Sequence, residues 1–341
     1  MTTAHTTGEG AGRPGPGPDP WLRRFHPAPP GPAPRLVLLP HAGGNASYYY
    51  AFSQALSAYA EVLTVQYPGR QDRFAEPAPG SIAAMVDGVH QALRPWLDGP
   101  LVLFGHSMGA LVAFELARRL EAESGSGSGA GAGAGAGSGL GPGSGLGSDS
   151  YVGSGSAPDV GPDAGAAAPG PLRGLIVSGR RSPLLQPADD DLPQDDDGLL
   201  AHLGSLAGTD PRLLAHEGFA ELILPALRAD YRAVREYRCA PGPALRVPVS
   251  VLCGEQDPRV TVPEAMAWRE LAAGAFTFRG FPGGHFYLAE RQDAVVRAVR
   301  EDLASFGASA ASPASVSVSV DGASSAAGAS SAARAGGAGT R

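Results

Sequence analysis

The sequence predicts an α/β fold in which helices cover both faces of a mostly parallel sheet. From Arg35 onward, short apolar runs alternate with segments of helical spacing, which is typical of parallel strands joined by right-handed helical crossovers. The runs are continuously apolar, and this indicates strands that are buried on both faces. Parallel strands end at one edge of the sheet, where open α/β sheets carry their functional sites.

Six runs are strand candidates, and five stretches have the spacing of amphipathic helices. The predicted strands cover residues 35–40, 61–67, 100–104, 172–178, 247–253 and 275–281. The predicted helices cover residues 48–58, 81–96, 111–120, 263–272 and 291–306. In the second of these helices the apolar residues share one face: Ile82, Met85, Val86, Val89 and Leu93.

Three segments lack the apolar side chains that a packed core requires. Residues 1–20 are rich in Gly, Pro, Thr and Ala, residues 124–170 in Gly, Ser and Ala, and residues 307–341 in Ala, Ser and Gly. Ordering a residue costs roughly 1–2 kcal/mol, which such segments cannot recover through burial. We therefore expect a disordered tail at each end, a single domain over 21–306, and a low-complexity insertion at about 124–170.

Composition argues against several classes of function. The formal net charge is −7 and the chain contains no lysine, whereas nucleic-acid-binding domains carry a basic stripe. Cys239 and Cys253 form neither a disulfide framework nor a metal-ligand spacing, and Cys253 is expected to be a small buried strand residue. The sequence has no secretory leader pattern and no run of about 18 apolar residues. We expect a cytoplasmic protein that binds neither nucleic acid nor a membrane.

The pentapeptide Gly-His-Ser-Met-Gly at 105–109 lies between the third predicted strand and a helix. A nucleophile elbow requires this context, because the flanking glycines permit a tight turn from which the Ser107 side chain projects. The free N–H groups at the start of the helix favour negative charge that develops beside them. The sequence therefore predicts a serine hydrolase of the α/β-hydrolase fold with Ser107 as its nucleophile.

A serine nucleophile requires a base, and His285 is the best of the eight histidines. It follows the last predicted strand, at the same sheet edge as Ser107, and comes last in the chain order serine, acid, histidine. The side chain of His106 must point away from Ser107 on so tight a turn. His90, His202 and His216 fall in helical patterns, where solvated or structural side chains are expected.

The third member of the predicted triad is an acid that orients the imidazole and stabilises its charged form. Asp257 follows the fifth predicted strand and lies at the same edge. Glu255, two residues earlier, is the alternative. Asp257 is favoured because it lies deeper in the loop and precedes Pro258, whose ring fixes φ.

Residues 40–44, Pro-His-Ala-Gly-Gly, follow the first predicted strand. Glycines at this position let backbone N–H groups approach a reacting carbonyl. We predict that the N–H groups of Met108 and Ala42 form an oxyanion hole. The alternative is an ordinary glycine turn.

Taken together, these motifs resemble those of the type II thioesterases that accompany polyketide synthases and non-ribosomal peptide synthetases. The resemblance covers about residues 21–306 without the insertion. The motifs that carry it lie at 38–44, 67–70, 104–110, 177–183, 227–231 and 283–286. It implies hydrolysis of aberrant or stalled acyl groups from the phosphopantetheine arm of acyl or peptidyl carrier proteins, through Ser107, Asp257 and His285. It implies no metal, and no cofactor other than that arm.

Two further segments need an explanation. The insertion departs from the family pattern and leads into the fourth predicted strand, so we expect it at the sheet edge opposite the site. Residues 180–240 are too long for a simple turn and hold two sets of leucine-rich helical spacing. Added core helices would explain them, but the resemblance favours a helical lid at about 184–240 over an acyl pocket.

Four arginines follow two strands at the predicted active-site edge: Arg70, Arg73, Arg180 and Arg181. Singly, each is typical of a solvated charge. Jointly, we interpret them as a docking surface for an acidic carrier protein or for the phosphate of its pantetheine arm.

The same residues are compatible with other functions. A general carboxylesterase or a chain-releasing thioesterase would use the same residues, although the chain contains no carrier domain. A catalytically silent hydrolase fold that serves as a binding scaffold is a third alternative, and an intact serine, acid and histidine argue against it. We expect a monomer.

Overall fold

The computed structural model describes residues 19–126, 170–185, 192–206, 212, 218–308 and 316–320. The expected amino-terminal tail lies outside these residues, apart from its last two. Most of the low-complexity insertion and most of the expected carboxyl-terminal tail also lie outside them, so the prediction of disorder there stays a prediction.

Within the described residues, eight strands form one sheet in the order β1-β3-β2-β4-β5-β6-β7-β8. Their bounds are β1 Leu22–Arg23, β2 Arg35–Leu39, β3 Glu61–Val65, β4 Leu101–His106, β5 Leu172–Ser178, β6 Val249–Gly254, β7 Phe276–Phe281 and β8 Val316–Val320. β1 is antiparallel to β3, and the other neighbours in the sheet are parallel. The predicted mostly parallel sheet is confirmed, and β2 to β7 correspond to the six predicted strands.

β8 corrects the prediction that residues 307–341 form a disordered tail throughout. It pairs in parallel with β7, from Phe276 opposite Val316 to Gly280 opposite Val320. Its sequence, Val-Ser-Val-Ser-Val, alternates β-branched with small polar residues at the period of a strand. Composition averaged over the tail conceals this pattern, because Ala, Ser and Gly surround it.

Helices pack on both faces of the sheet. Their bounds are α1 Tyr50–Leu56, α2 Ile82–Leu93, α3 Met108–Ser126, α4 Asp196–Ser205, α5 Phe219–Glu236, α6 Val262–Met266, α7 Tyr287–Glu290 and α8 Gln292–Ala308. Successive residues of β2 enter opposite cores: Val37 packs with α2 and α3, whereas Leu36 packs with α1 and α8. Burial on both faces explains the continuous apolar runs. Among the described helices, none is long and apolar enough to cross a membrane.

Several predicted helices differ in their ends. The predicted helices at 48–58, 81–96 and 263–272 each divide into an α-helix and a 3-10 helix, at Ala46–Tyr49, Arg94–Trp96 and Ala267–Leu271. α2 begins after Ser81, whose side chain accepts a hydrogen bond from the N–H of Ala84. The apolar face predicted for this helix is buried in full.

The two edges of the sheet hold different parts of the chain. β4 lies beside β2 although β3 comes between them in the sequence, and such a reversal opens a crevice at the carboxyl ends of the strands. The described ends of the insertion lie at the opposite edge, as predicted. Leu172 pairs with Leu101 at the start of β4, and a Cβ placed on Gly170 would lie 2.0 Å from Ser124 Oγ.

Candidate active site

Ser107 occupies a sharp turn between β4 and α3. Its φ of 54° is left-handed, a conformation that non-glycine residues rarely adopt. The turn needs glycine on both sides. A Cβ on Gly105 would lie 2.2 Å from the carbonyl oxygen of Gly109, and a Cβ on Gly109 would lie 2.0 Å from that of Leu39. The predicted elbow geometry is therefore present.

The structure brings the three predicted triad residues into one hydrogen-bonded line. Ser107 Oγ lies 3.1 Å from His285 Nε2, and His285 Nδ1 lies 2.8 Å from Asp257 Oδ2. His285 and Asp257 are buried, so water competes little for these bonds. In the tautomer that donates from Nδ1 to the carboxylate, Nε2 is left to accept the serine proton.

The loop after β6 separates the two candidate acids. Asp257 is turned inward, where its Oδ1 also accepts a hydrogen bond from the N–H of Arg259 at 2.8 Å. Glu255 is exposed on the same loop, and its backbone N–H bonds the carbonyl of Phe281. Of the two acids, only Asp257 contacts His285 in this arrangement.

The predicted oxyanion donors lie beside Ser107, the predicted nucleophile. Ala42 and Met108 line the same pocket as Ser107 and His285. Residues 41–44, which we call the oxyanion loop after this prediction, follow β2, and the pairing of Leu39 with Gly105 sets this loop next to the elbow. The N–H of Gly44 bonds the carbonyl of His41 at 3.0 Å. The roles of the Ala42 and Met108 N–H groups stay predictions.

Two buried histidines of the described residues, His41 and His106, lie close to the predicted triad. The His106 ring lies 5.1 Å from that of His285 between centroids, and its Nδ1 lies 2.9 Å from Ser178 Oγ. Its ring thus lies against Ser178 and His285, and its predicted direction away from Ser107 stays a prediction. Burial, together with His285 and Arg70, lowers the pKa of His41 to about 3. Burial and the two neighbouring histidines likewise hold the pKa of His106 well below its usual value.

Within the described part of the segment predicted as a lid, two helices line the pocket. Leu192 precedes α4, His202 lies on it and Leu206 directly follows it, while Tyr231 and Val234 lie on α5; all five line the pocket with Ser107. The two leucine-rich patterns therefore do form helices, and both helices lie at the pocket; their role as a lid stays a prediction. His202 was expected to be a solvated or structural residue, but it lines this pocket.

The four arginines do not form one docking surface, and that hypothesis is wrong. Arg70 and Arg73 are each only 5% exposed. Arg70 pairs with Asp230, and Arg73 pairs with Glu76 at 2.6 Å. Their loop folds back onto the protein, where Tyr67 and Trp21 each stack against one guanidinium, and a sequence pattern does not show this.

Arg180 and Arg181 instead line the pocket itself. Arg181 donates to the carbonyl of Arg259 at 2.7 Å and lies 3.5 Å from Glu264.

The family model described as thioesterase domain matches residues 34–130 and 167–303. The chain belongs to this thioesterase family. The interval between the matched parts falls within the insertion. Members of the family are hydrolases that act on thioester bonds.

Thioesterase PikA5 of Streptomyces venezuelae is 40% identical over 284 residues, which cover 83% of this chain and 85% of that protein. Thioesterase TesA of Mycobacterium marinum is 31% identical, over 75% of this chain and 85% of its own.

Solved thioesterases have the same fold. The type II thioesterase BorB from the borrelidin biosynthetic cluster is 38% identical and matches with a TM-score of 0.66, over 84% of this chain and 98% of that one. YbtT, a type II thioesterase from the yersiniabactin pathway, is 25% identical with a TM-score of 0.62, over 84% of this chain and 99% of its own. The predicted resemblance to type II thioesterases and the α/β-hydrolase fold are confirmed.

Sequence reasoning missed one contact beside the thioesterase pocket. Asp230 of α5 accepts a hydrogen bond from the N–H of Gly43 at 2.7 Å and pairs with Arg70. The sequence offers one indication of this contact: residues 67–70, which include Arg70, and residues 227–231, which include Asp230, both belong to the motifs that carry the family resemblance. Nothing in either motif alone indicates that they meet.

Proposed function

We propose that this protein is an editing type II thioesterase. It would hydrolyse aberrant or stalled acyl groups from the phosphopantetheine arm of acyl or peptidyl carrier proteins in polyketide or non-ribosomal peptide synthesis. The observation that carries the proposal is the hydrogen-bonded line of Ser107, His285 and Asp257 in the covered pocket of a chain that belongs to the thioesterase family. Relatives named as type II thioesterases support the editing role.

In the first half of the reaction, Ser107 Oγ attacks the thioester carbonyl carbon while His285 Nε2 takes the serine proton. The N–H groups of Ala42 and Met108 stabilise the oxyanion of the tetrahedral intermediate. Its collapse breaks the carbon–sulfur bond and expels the pantetheine sulfur, which receives the proton from His285. A thiol, with a pKa of about 8.5, leaves far more easily than an alkoxide.

In the second half, His285 takes a proton from water as the water attacks the acyl-serine. Collapse of the second intermediate releases the carboxylic acid and returns the proton to Ser107. Asp257 holds the imidazole in the productive tautomer and stabilises its charged form throughout. Since the thiolate leaves readily, we expect deacylation to limit the rate.

The lid helices α4 and α5 suit a substrate delivered on a flexible arm. They cover the pocket with apolar side chains, which would hold the acyl chain and exclude water.

One chain supplies all three residues of the line, so the proposal requires only a monomer. The proposed partner is a carrier protein and the proposed location is the cytoplasm; neither a metal nor a nucleic acid takes part.

The test compares one acyl group on three carriers: a phosphopantetheinylated carrier protein, N-acetylcysteamine, and p-nitrophenol as an oxyester. We expect kcat/KM to be highest for the carrier protein. We also expect Ser107→Ala to lower kcat by at least about 10⁴-fold, because the triad acts as a unit, and to abolish labelling by a fluorophosphonate.

The outcomes separate the alternatives. A preference for the oxyester would indicate a general carboxylesterase, and a cyclised product would indicate a chain-releasing enzyme. An unlabelled wild-type Ser107 with no turnover of any of the three substrates would leave only a binding scaffold.

A further inference from the structure

Asp230 is a fully buried carboxylate on a lid helix. It lies on α5, and its side chain is 0% exposed. One oxygen, Oδ2, accepts hydrogen bonds from two sources: the backbone N–H of Gly43, at 2.7 Å, and the guanidinium of Arg70. Arg70 is nearly as buried and also donates to the carbonyl of Gly44 at 2.8 Å. The pair therefore binds the oxyanion loop through two successive residues, Gly43 and Gly44.

The same helix also packs against the loop directly. Gly43 has a φ of +73°, and a Cβ on it would lie 2.9 Å from Cδ1 of Leu227, one turn before Asp230 on α5. The hydrogen bond to Asp230 directs the N–H of Gly43 toward the helix. Because this N–H belongs to the peptide unit that joins Ala42 to Gly43, its direction constrains the backbone on which the Ala42 N–H is carried.

Stability alone does not explain such a pair. Burial raises the pKa of Asp230, against the opposing effects of Arg70 and of the Gly43 N–H. Desolvating two charges often costs as much as their attraction returns, so a buried ion pair is weak evidence for stabilisation and better evidence for fixing an arrangement. Here the arrangement it fixes is the loop that carries a predicted oxyanion donor.

We propose that Asp230 is a positioning residue, which holds the oxyanion loop through Gly43 and Arg70 so that the oxyanion hole is complete only while α5 rests on the loop. The inference rests on the proposed function, because it requires Ala42 as an oxyanion donor. In this proposal α5 does more than cover the pocket, because the oxyanion hole forms only when this helix packs on the oxyanion loop.

The principal variant is Asp230→Asn, which keeps the shape of the side chain but removes the charge that Arg70 and the Gly43 N–H share. We expect kcat on an acyl-N-acetylcysteamine thioester to fall by about 100-fold, the lower range for loss of one oxyanion donor. KM should change less than threefold, because the donor acts on the transition state. The shape of the pH–rate profile should stay that of the wild type, since Ser107, His285 and Asp257 are untouched.

A transition-state probe distinguishes positioning from general damage. An acyl trifluoromethyl ketone forms a hemiketal oxyanion on Ser107, so its affinity depends on the oxyanion hole. We expect its Ki to rise in Asp230→Asn by the same factor as kcat falls. A fall in kcat with an unchanged Ki would overturn the inference.

Two further variants control for folding. Arg70→Met/Asp230→Val removes the buried pair without leaving one charge alone, which is the loss that destabilises most; we expect it to fold and still to show the lowered kcat. Asp196→Asn breaks the exposed pair that joins α4 to Arg228 of α5 and should keep wild-type kcat and Ki, because exposed pairs contribute little.

The activity of the wild type tests the proposed function, and the activity of the variants tests the role of Asp230. If the wild type hydrolyses no thioester, the proposed function is wrong. If the wild type is active and both the single and the double variant stay within twofold of its kcat, the thioesterase stands and the positioning role of Asp230 is wrong.

Discussion

The two edges of the sheet differ in how far each constrains the chain. At the carboxyl edge, residues from the loops after β2, β4, β6 and β7 line one pocket, and a single methyl group on Gly105 or Gly109 would collide with backbone atoms. At the amino edge, the chain leaves α3 and returns at β5 with the long low-complexity insertion between them. The two ends of that insertion lie in contact, since Gly170 adjoins Ser124.

This difference shows where the fold tolerates change. An insertion whose ends already meet adds only a loop, whose entropic cost grows slowly with length. A change at the carboxyl edge alters atoms that hold one another within hydrogen-bond distance. Function should therefore be sensitive at one edge and insensitive at the other.

Apart from the loss of Ser107 itself, the largest expected effect is that of Asp257→Asn at the carboxyl edge. An amide in this position favours the wrong imidazole tautomer, so we expect kcat to fall by about 10³- to 10⁴-fold with the fold intact. Steady-state kinetics on an acyl-N-acetylcysteamine thioester measures this. The matched control is Glu255→Gln, which removes the exposed acid two residues away and should keep activity within twofold. Equal losses in both variants would contradict the assignment of the acid.

An effect of intermediate size is expected from the buried His41, on the pH dependence of the free energy of unfolding. Its pKa of about 3 in the fold lies below the ordinary value of 6.5, so the unfolded chain binds a proton first as the pH falls. The stabilisation is complete above about pH 6.5 and is lost progressively below it. Between pH 7 and pH 5, we expect the free energy of unfolding to fall by about 2 kcal/mol through this residue.

Denaturant unfolding at the two pH values, at constant ionic strength, measures the loss. In His41→Gln the loss should be smaller than in the wild type by about that amount. His106 should contribute in the same direction, because its pKa is also lowered by burial. An equal loss in the wild type and in His41→Gln would mean that His41 titrates normally in the fold.

The smallest expected effect belongs to the amino edge. Replacing residues 127–169 by a short Gly-Ser linker should leave kcat and KM within twofold and the free energy of unfolding unchanged within about 1 kcal/mol. Kinetics and denaturant unfolding of the shortened chain measure this. A large loss of activity on the carrier protein alone would show that the insertion takes part in docking.

The parts of the site that local sequence determines were predictable. Ser107 is marked by a strand, two glycines and a helix, all within a few residues. Asp257 and His285 each follow a strand at the same edge, and parallel topology alone brings them together. β2 to β7 could be predicted because each is a continuous apolar run.

Long-range contacts were not predictable in this way. Arg70 and Asp230 are 160 residues apart, and each alone is typical of a solvated charge on a loop or helix. Only the packing of α5 on the oxyanion loop shows that they are buried partners. β8 was missed for a different reason, because three alternating valines are a weak signal within a tail of small residues.

The left-handed backbone of Ser107 has a consequence for how this protein is selected. A non-glycine residue in that conformation costs on the order of 1–3 kcal/mol, and glycine would adopt it without that cost. At position 107, the residue with the lowest conformational energy is therefore glycine, which has no hydroxyl with which to react. Selection for stability alone would favour Ser107→Gly, which would abolish the reaction. A serine is therefore kept at this position only while the reaction itself is under selection.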